Sequence, residues 1–207
     1  MDPDSALVQK LLQSARRGDA EALTQLFARY QERLRRTVEL HLDRRVAARV
    51  GASDVLQEAF LEAARRWPEY LKRQEMPFPL WLQWLAREKV LEAHRRHIRA
   101  DKRAVSREVP PLPADSSAEF VRSLAGCEPT TSQNVVAAEL AERLRLAIQR
   151  LDDDERELIL WRHFEQLSIR DTAQLLGISE AAASKRYVRA LERLRGFLLS
   201  LGVSSVG

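Results

Sequence analysis

The sequence predicts an all-α protein of two small helical domains joined by a flexible linker. Three observations carry this. Apolar residues recur at steps of three and four through most of the chain. No alternating strand pattern interrupts them. Near the middle the composition shifts to proline, serine and glycine, as in an inter-domain linker.

The helices are justified in order. A short first helix holds Leu7, Val8, Leu11, Leu12 and Ala15, and Gly18 suits its end. Asp19 is a plausible N-cap for the second, whose stripe is Leu23, Leu26, Phe27, Tyr30, Leu34 and Val38. A third begins near Ser53 with Val55, Leu56, Ala59, Phe60 and Ala63 inward, and Pro68 is expected to close it. After the rigid break Met76-Pro77-Phe78-Pro79, Pro79 can open a fourth at its first position. Trp81, Trp84, Leu85 and Leu91 face inward there, and the end turns basic through His94, Arg95, Arg96, His97, Arg99, Lys102 and Arg103. Residues 104–132, with Pro110, Pro111, Pro113 and Pro129, read as the linker, with room for a helical turn at Ala118–Leu124. The domains are therefore placed at 1–103 and 133–207. Helical period resumes at Val136, Leu140, Leu144, Ile148 and Leu151. Asp152 with Glu155 reads as a capping box, and Ser168 and Ser179 cap two further helices.

Composition excludes several classes. The 207 residues are 45% hydrophobic and 31% charged, too apolar for wholesale disorder. None of the 7 glycines falls in a phosphate-binding fingerprint. A single cysteine, Cys127, makes neither an internal disulfide nor a Cys-rich zinc site. Histidines 41, 94, 97 and 163 form no ligand pattern, so neither a metal nor a cofactor is expected. No nucleophile, base and oxyanion set is visible, so the chain does not read as an enzyme. No segment approaches the ~20 apolar residues of a membrane span, and Met1–Lys10 does not resemble a signal peptide, so the cytoplasm is the simplest location. The net charge of +4 hints at a polyanion partner if the positive charge is clustered.

It is clustered twice. Leu167–Leu191 has the pattern of a helix-turn-helix: small Ala173 where helices cross, Gly177 for a left-handed turn, Ile178 to plug the corner. On the second helix, Ala183, Tyr187, Ala190, Leu191 and Leu194 can face inward. That leaves Ser184, Lys185, Arg186, Arg189 and Arg193 outside, with Val188 among the candidates for contacting duplex DNA. The bland alternative is a helical hairpin with a solvated basic face. The second cluster, Arg95, Arg96, Arg99, Lys102 and Arg103, follows Phe78, Trp81 and Trp84, and aromatics interleaved with cations suit single-stranded DNA. For Trp81 and Trp84 individually, helical spacing favours the core. Asp54, Gln57, Glu58 and Glu62 around Phe60 form either a docking face for a basic helix or an ordinary solvent face. Asp152–Asp154 most simply serve a helix N-terminus.

Taken together, the motifs resemble a bacterial sigma factor of the extracytoplasmic-function (ECF) type. Ala52–Phe60 looks like the polymerase-docking segment of the conserved second region, Phe78–Arg87 like its strand-opening segment, and the helix-turn-helix with Arg189–Arg195 like the fourth region. Where many relatives carry Asn and then Asp four residues on, this chain carries Glu88 and Glu92. The resemblance implies a non-enzymatic specificity subunit that binds core RNA polymerase and promoter DNA. Asp54, Gln57, Glu58 and Phe60 would dock on a coiled coil of the large polymerase subunit. The second domain would meet the flap of another subunit and read the minus-thirty-five element as duplex. The loop Glu75–Pro79, with Phe78, Trp81 and the basic helix, would serve the minus-ten element and hold an unstacked base. An anti-sigma factor covering the docking face or wedging between the domains is a further implied partner. Rival readings are a helix-turn-helix regulator acting without polymerase and an interaction adaptor that does not bind DNA.

Overall fold

The computed structural model describes residues 3–98, 109–125 and 134–203. Those residues form ten helices: α1 (Pro3–Arg16), α2 (Ala20–His41), α3 (Arg44–Ala47), α4 (Ala52–Arg73), α5 (Phe78–Ile98), α6 (Ala114–Ala125), α7 (Asn134–Gln149), α8 (Asp153–His163), α9 (Ile169–Leu176) and α10 (Glu180–Ser200). Among the described residues there is no strand.

The first core lies between α1, α2, α4 and α5, where Leu26, Leu34, Val38, Leu56, Ala63 and Leu85 are fully enclosed. Gly18 adopts φ 90°, turning the chain so that the Asp19 carboxylate accepts the Ala22 N–H at 3.1 Å and starts α2. The α2 stripe faces this core as its spacing requires.

Helix α4 does not stop at Pro68. It runs on to Arg73 and ends at Gln74, which is left-handed at φ 41°. An interior proline costs a helix roughly 3 kcal/mol. The offset is aromatic burial on either side of it: Trp67 donates its indole N–H to the Ala15 carbonyl at 3.3 Å, and Tyr70 stacks on Trp81 at 4.4 Å. The last turn is held by packing that a local proline rule does not see.

The second core joins α6, α7, α8 and α10 through Phe120, Leu144, Ile148, Ile159, Leu194 and Leu198. Here the extended tether expected over 104–132 gives way at 109–125. Val109 and Leu112 are buried, and α6 lays Phe120 and Val121 against this core. Pro113 stands immediately before α6, and the amphipathic period beyond it outweighs the proline- and serine-rich composition around it. The rest of that stretch lies outside the described residues.

A third, smaller cluster of Leu80, Trp161, Leu167 and Leu175 bridges α5 of the first half to α8 and α9 of the second. Met76, Trp84 and Leu176 pack around it.

Candidate nucleic-acid and polymerase interfaces

The helix-turn-helix is built by its caps. Ser168 Oγ accepts the Asp171 N–H at 3.0 Å, Gly177 turns the chain at φ 66°, and Ser179 Oγ accepts the Ala182 N–H at 3.2 Å. Ala173 is buried at the crossing and the Ile178 N–H bonds the Ala173 carbonyl at 3.1 Å. This fixes α10 with Ala183, Ala190 and Leu194 inward. Lys185, Arg189 and Val188 are exposed, Val188 to 54%, and Ser184 is half-exposed. Of the other two basic residues expected outside, Arg193 is exposed and Arg186 only half so, and both are held in ion pairs. Arg186 is half-buried in an ion pair with Asp154, and Arg193 bonds Glu155 at 2.5 Å and Asp152 at 3.4 Å. The acidic start of α8 therefore braces α10 as well as capping its own helix, where Asp152 accepts the Glu155 N–H at 2.9 Å.

Behind α10 the Tyr187 hydroxyl lies 2.7 Å from His163 Nε2, and Phe120 of α6 stacks on the His163 ring at 3.5 Å. Burial, aided by the nearby Arg162 guanidinium, pushes the His163 pKa down to about 4. The neutral ring accepts the phenol O–H. In the unfolded chain it titrates near its ordinary value of 6.5. Below that pH the unfolded state takes up a proton that the native state refuses, so this group removes stability as pH falls from about 6.5 towards about 4. Urea midpoints of the wild type should therefore drop more steeply over this window than those of His163→Gln. Parallel profiles for the two proteins would contradict the assignment.

On the first half, Asp54 and Gln57 are exposed on α4, while Glu58 and Phe60 are half-buried. Asp54 also serves the helix start, accepting the Gly51 N–H at 3.1 Å. Phe60 stacks on Phe27 of α2 at 5.0 Å, forming the floor of a groove of about 450 Å³ between α2 and α4. Leu61 stands at its edge, 66% exposed. Sequence reasoning passed over Leu61. Its signal was an aliphatic residue off the buried stripe of its helix.

Glu58 accepts from Arg96 at 2.8 Å, so a residue expected to dock protein and one expected to meet DNA are joined. Arg95 is exposed. Arg99, Lys102 and Arg103 lie outside the described residues. Phe78, expected to offer stacking surface, is instead interior at 2% exposure, and Trp81 is in the core, as its helical spacing favoured, at 6%. They pack in one aromatic cluster with Trp67 and Tyr70, Phe78 meeting Trp67 edge-on at 5.8 Å. A cavity of about 180 Å³ lies beside the 74–76 turn, lined in part by Tyr70, Arg73, Met76, Trp81 and Trp84. Arg66 reaches over Trp84 at 5.6 Å and bonds both Glu62 and, at 3.0 Å, Glu88. Arg65 and Arg66 together hold the Glu62 carboxyl down to about 2. Glu88 thus faces a cation supplied by α4.

Among the described residues no three His, Cys, Asp or Glu gather as a metal site, and no helix is long and apolar enough to cross a membrane. Among the described residues the fold is all-helical and carries a helix-turn-helix. Residues 5–196 match the ECF sigma factor family, and the chain belongs to that family. It is 31% identical over 185 residues to the RNA polymerase sigma factor CarQ of Myxococcus xanthus, covering 88% of this chain and 92% of that one. It is 28% identical over 201 residues to the ECF sigma factor BldN of Streptomyces coelicolor, covering 93% and 67% respectively. The fold resembles CnrH in its complex with the cytosolic domain of CnrY, with a TM-score of 0.59 at 21% identity over 94% of this chain and 98% of that one. It also resembles RpoE of Bartonella quintana in complex with the anti-sigma factor NepR, with a TM-score of 0.57 at 17% identity over 85% and 96%.

Proposed function

We propose that this sigma factor binds core RNA polymerase through the α4 face and selects promoters by dividing DNA recognition between its halves. Residues 1–103 dock and act on the minus-ten element, and residues 133–207 read the minus-thirty-five element as duplex. Helix α6, from within the connecting stretch, packs with the second half. Lys185, Val188 and Arg189, with Ser184 beside them, enter the major groove, while Arg186 holds the helix that presents them. Arg95 and Arg96, with Arg99, Lys102 and Arg103 beyond them, lie along the minus-ten path, and the cavity beside the 74–76 turn receives the unstacked base. Phe78 and Trp81 support that cavity from within the core. The polymerase supplies the chemistry.

The observation that carries this reading is the pairing, in one chain, of an open apolar groove on α4 with a capped helix-turn-helix that presents exposed cations. RpoE was captured with the anti-sigma factor NepR and CnrH with the cytosolic domain of CnrY, and an anti-sigma factor is the partner class we assign here. Run-off transcription with core polymerase and a promoter pool tests the function. Promoter selectivity gained on adding this chain is the expected result, and none would end the proposal. Leu61→Asp should lose polymerase capture while leaving the fold intact, because it puts a charge where an apolar side chain must be desolvated. Unchanged capture in a pull-down without DNA would remove α4 from the docking surface.

A further inference from the structure

We infer that Phe120, in the stretch that connects the two halves, is a positioning residue for reading duplex DNA: it backs the recognition helix α10 through His163, given the groove-facing role proposed for that helix.

Helix α10 is held at both ends of α8. Where α8 starts, Asp154 pairs with Arg186, and Asp152 and Glu155 pair with Arg193. Where α8 ends, His163 Nε2 lies 2.7 Å from the Tyr187 hydroxyl, and the two rings stack at 5.9 Å. Arg162 lies over the Tyr187 ring at 5.6 Å and also bonds the Leu167 carbonyl on the approach to α9. The two grips stand roughly 15 Å apart along the 11 residues of α8, so together they set the tilt of α10 as well as its position.

Of these two grips, the one at His163 is backed by the connecting stretch. Phe120 of α6 is buried and stacks on His163, with ring centroids 3.5 Å apart and planes 22° apart. The imidazole thus touches a ring of α6 and a ring of α10. Without Phe120 the imidazole is free to turn to another rotamer and bond water in place of the phenol. Tyr187 sits between Arg186 and Val188, two residues from both Lys185 and Arg189, so a change of tilt there moves the exposed face directly. A bond to a base edge needs its heavy atoms within about 2.7–3.2 Å. Attraction to phosphate acts over roughly 8–10 Å at ordinary salt and tolerates the same displacement. Losing the brace therefore costs sequence discrimination far more than general affinity. A connecting stretch that served only as a tether would have no such effect.

The test measures holoenzyme binding to a matched minus-thirty-five duplex and to a scrambled one, for wild type, Phe120→Leu, Tyr187→Phe and the double variant. Phe120→Leu keeps an apolar side chain in the core and removes the flat ring, with Phe120→Met in its place should the leucine variant fail to fold. Tyr187→Phe removes one hydroxyl. Each single change should lower the matched-to-scrambled affinity ratio about 2- to 10-fold, the size of one lost aromatic or hydrogen-bonded contact, with scrambled binding near the wild-type value. The double variant should lose no more than the worse single variant, because both cut the same support. An unchanged ratio on changing Phe120, equal losses on both duplexes, or additive losses in the double variant would each overturn the positioning role. If the wild type itself prefers neither duplex, the groove reading of α10 fails instead. Amide exchange in the free chain then still decides the brace. Changing Phe120 should quicken exchange at 183–190 of α10 as well as in α6, and quickening confined to α6 would overturn it.

Discussion

Trp161→Ala should lower the unfolding free energy by about 3–5 kcal/mol, the usual cost of truncating a buried tryptophan. The ring is 1% exposed and belongs to the cluster that bridges the halves. It lies 5.5 Å from the His41 ring and beneath the Arg87 guanidinium. Truncation leaves a void on which Leu80, Leu167 and Leu175 cannot easily close, because each sits on a different segment of the fold. Set against a total stability of roughly 5–15 kcal/mol for a typical domain, that is a large share. Denaturant unfolding followed by far-ultraviolet circular dichroism measures it. Trp84→Ala removes only a half-buried ring and should cost clearly less. If the two variants were equally mild, Trp161 would be solvated in the dominant state, and the packing of α8 on α5 would not hold in solution.

The parts of this fold that were legible are those set by local chemistry. Asp19, Ser168 and Ser179 each cap the helix they precede, and Gly177 takes the left-handed turn. A side-chain oxygen needs only the amides within the next three residues, so sequence spacing suffices. The α2 stripe was legible for the same reason. Features decided at long range were not. Pro68 reads as a stop until Tyr70 is seen stacked on Trp81, a residue on the next helix. Residues 114–125 read as linker because their partner α7 comes later in the chain. Arg186 and Arg193 look like free cations until the acidic start of α8 is folded beside them. Helical spacing already favoured the core for Trp81, but it offered no test for Phe78 at the first turn. Leu61 is the reverse case: only the folded groove shows that its exposure has company in Phe27 and Phe60.

That contrast among the basic residues of α10 yields the second large effect. Lys185→Ala or Arg189→Ala should each weaken holoenzyme binding to a minus-thirty-five duplex by about 1–3 kcal/mol, roughly 5- to 150-fold, if the side chain reads a base edge. The loss would then fall on the cognate sequence and spare a scrambled one. A phosphate contact would instead weaken both duplexes alike and lower the salt slope by about one. Arg186→Ala should behave differently, since its guanidinium is committed to Asp154. The pair is partly exposed, so its worth is within about 1 kcal/mol. Asp154→Ala should mimic Arg186→Ala, and the double variant should be no worse than either, because both remove the same brace. Titrations of the four proteins on matched and scrambled duplexes separate these roles. If Arg186→Ala abolished sequence preference while Asp154→Ala changed nothing, Arg186 would leave its acid to read the groove. If neither Lys185 nor Arg189 mattered on either duplex, the exposed face of α10 would not be the face that meets DNA.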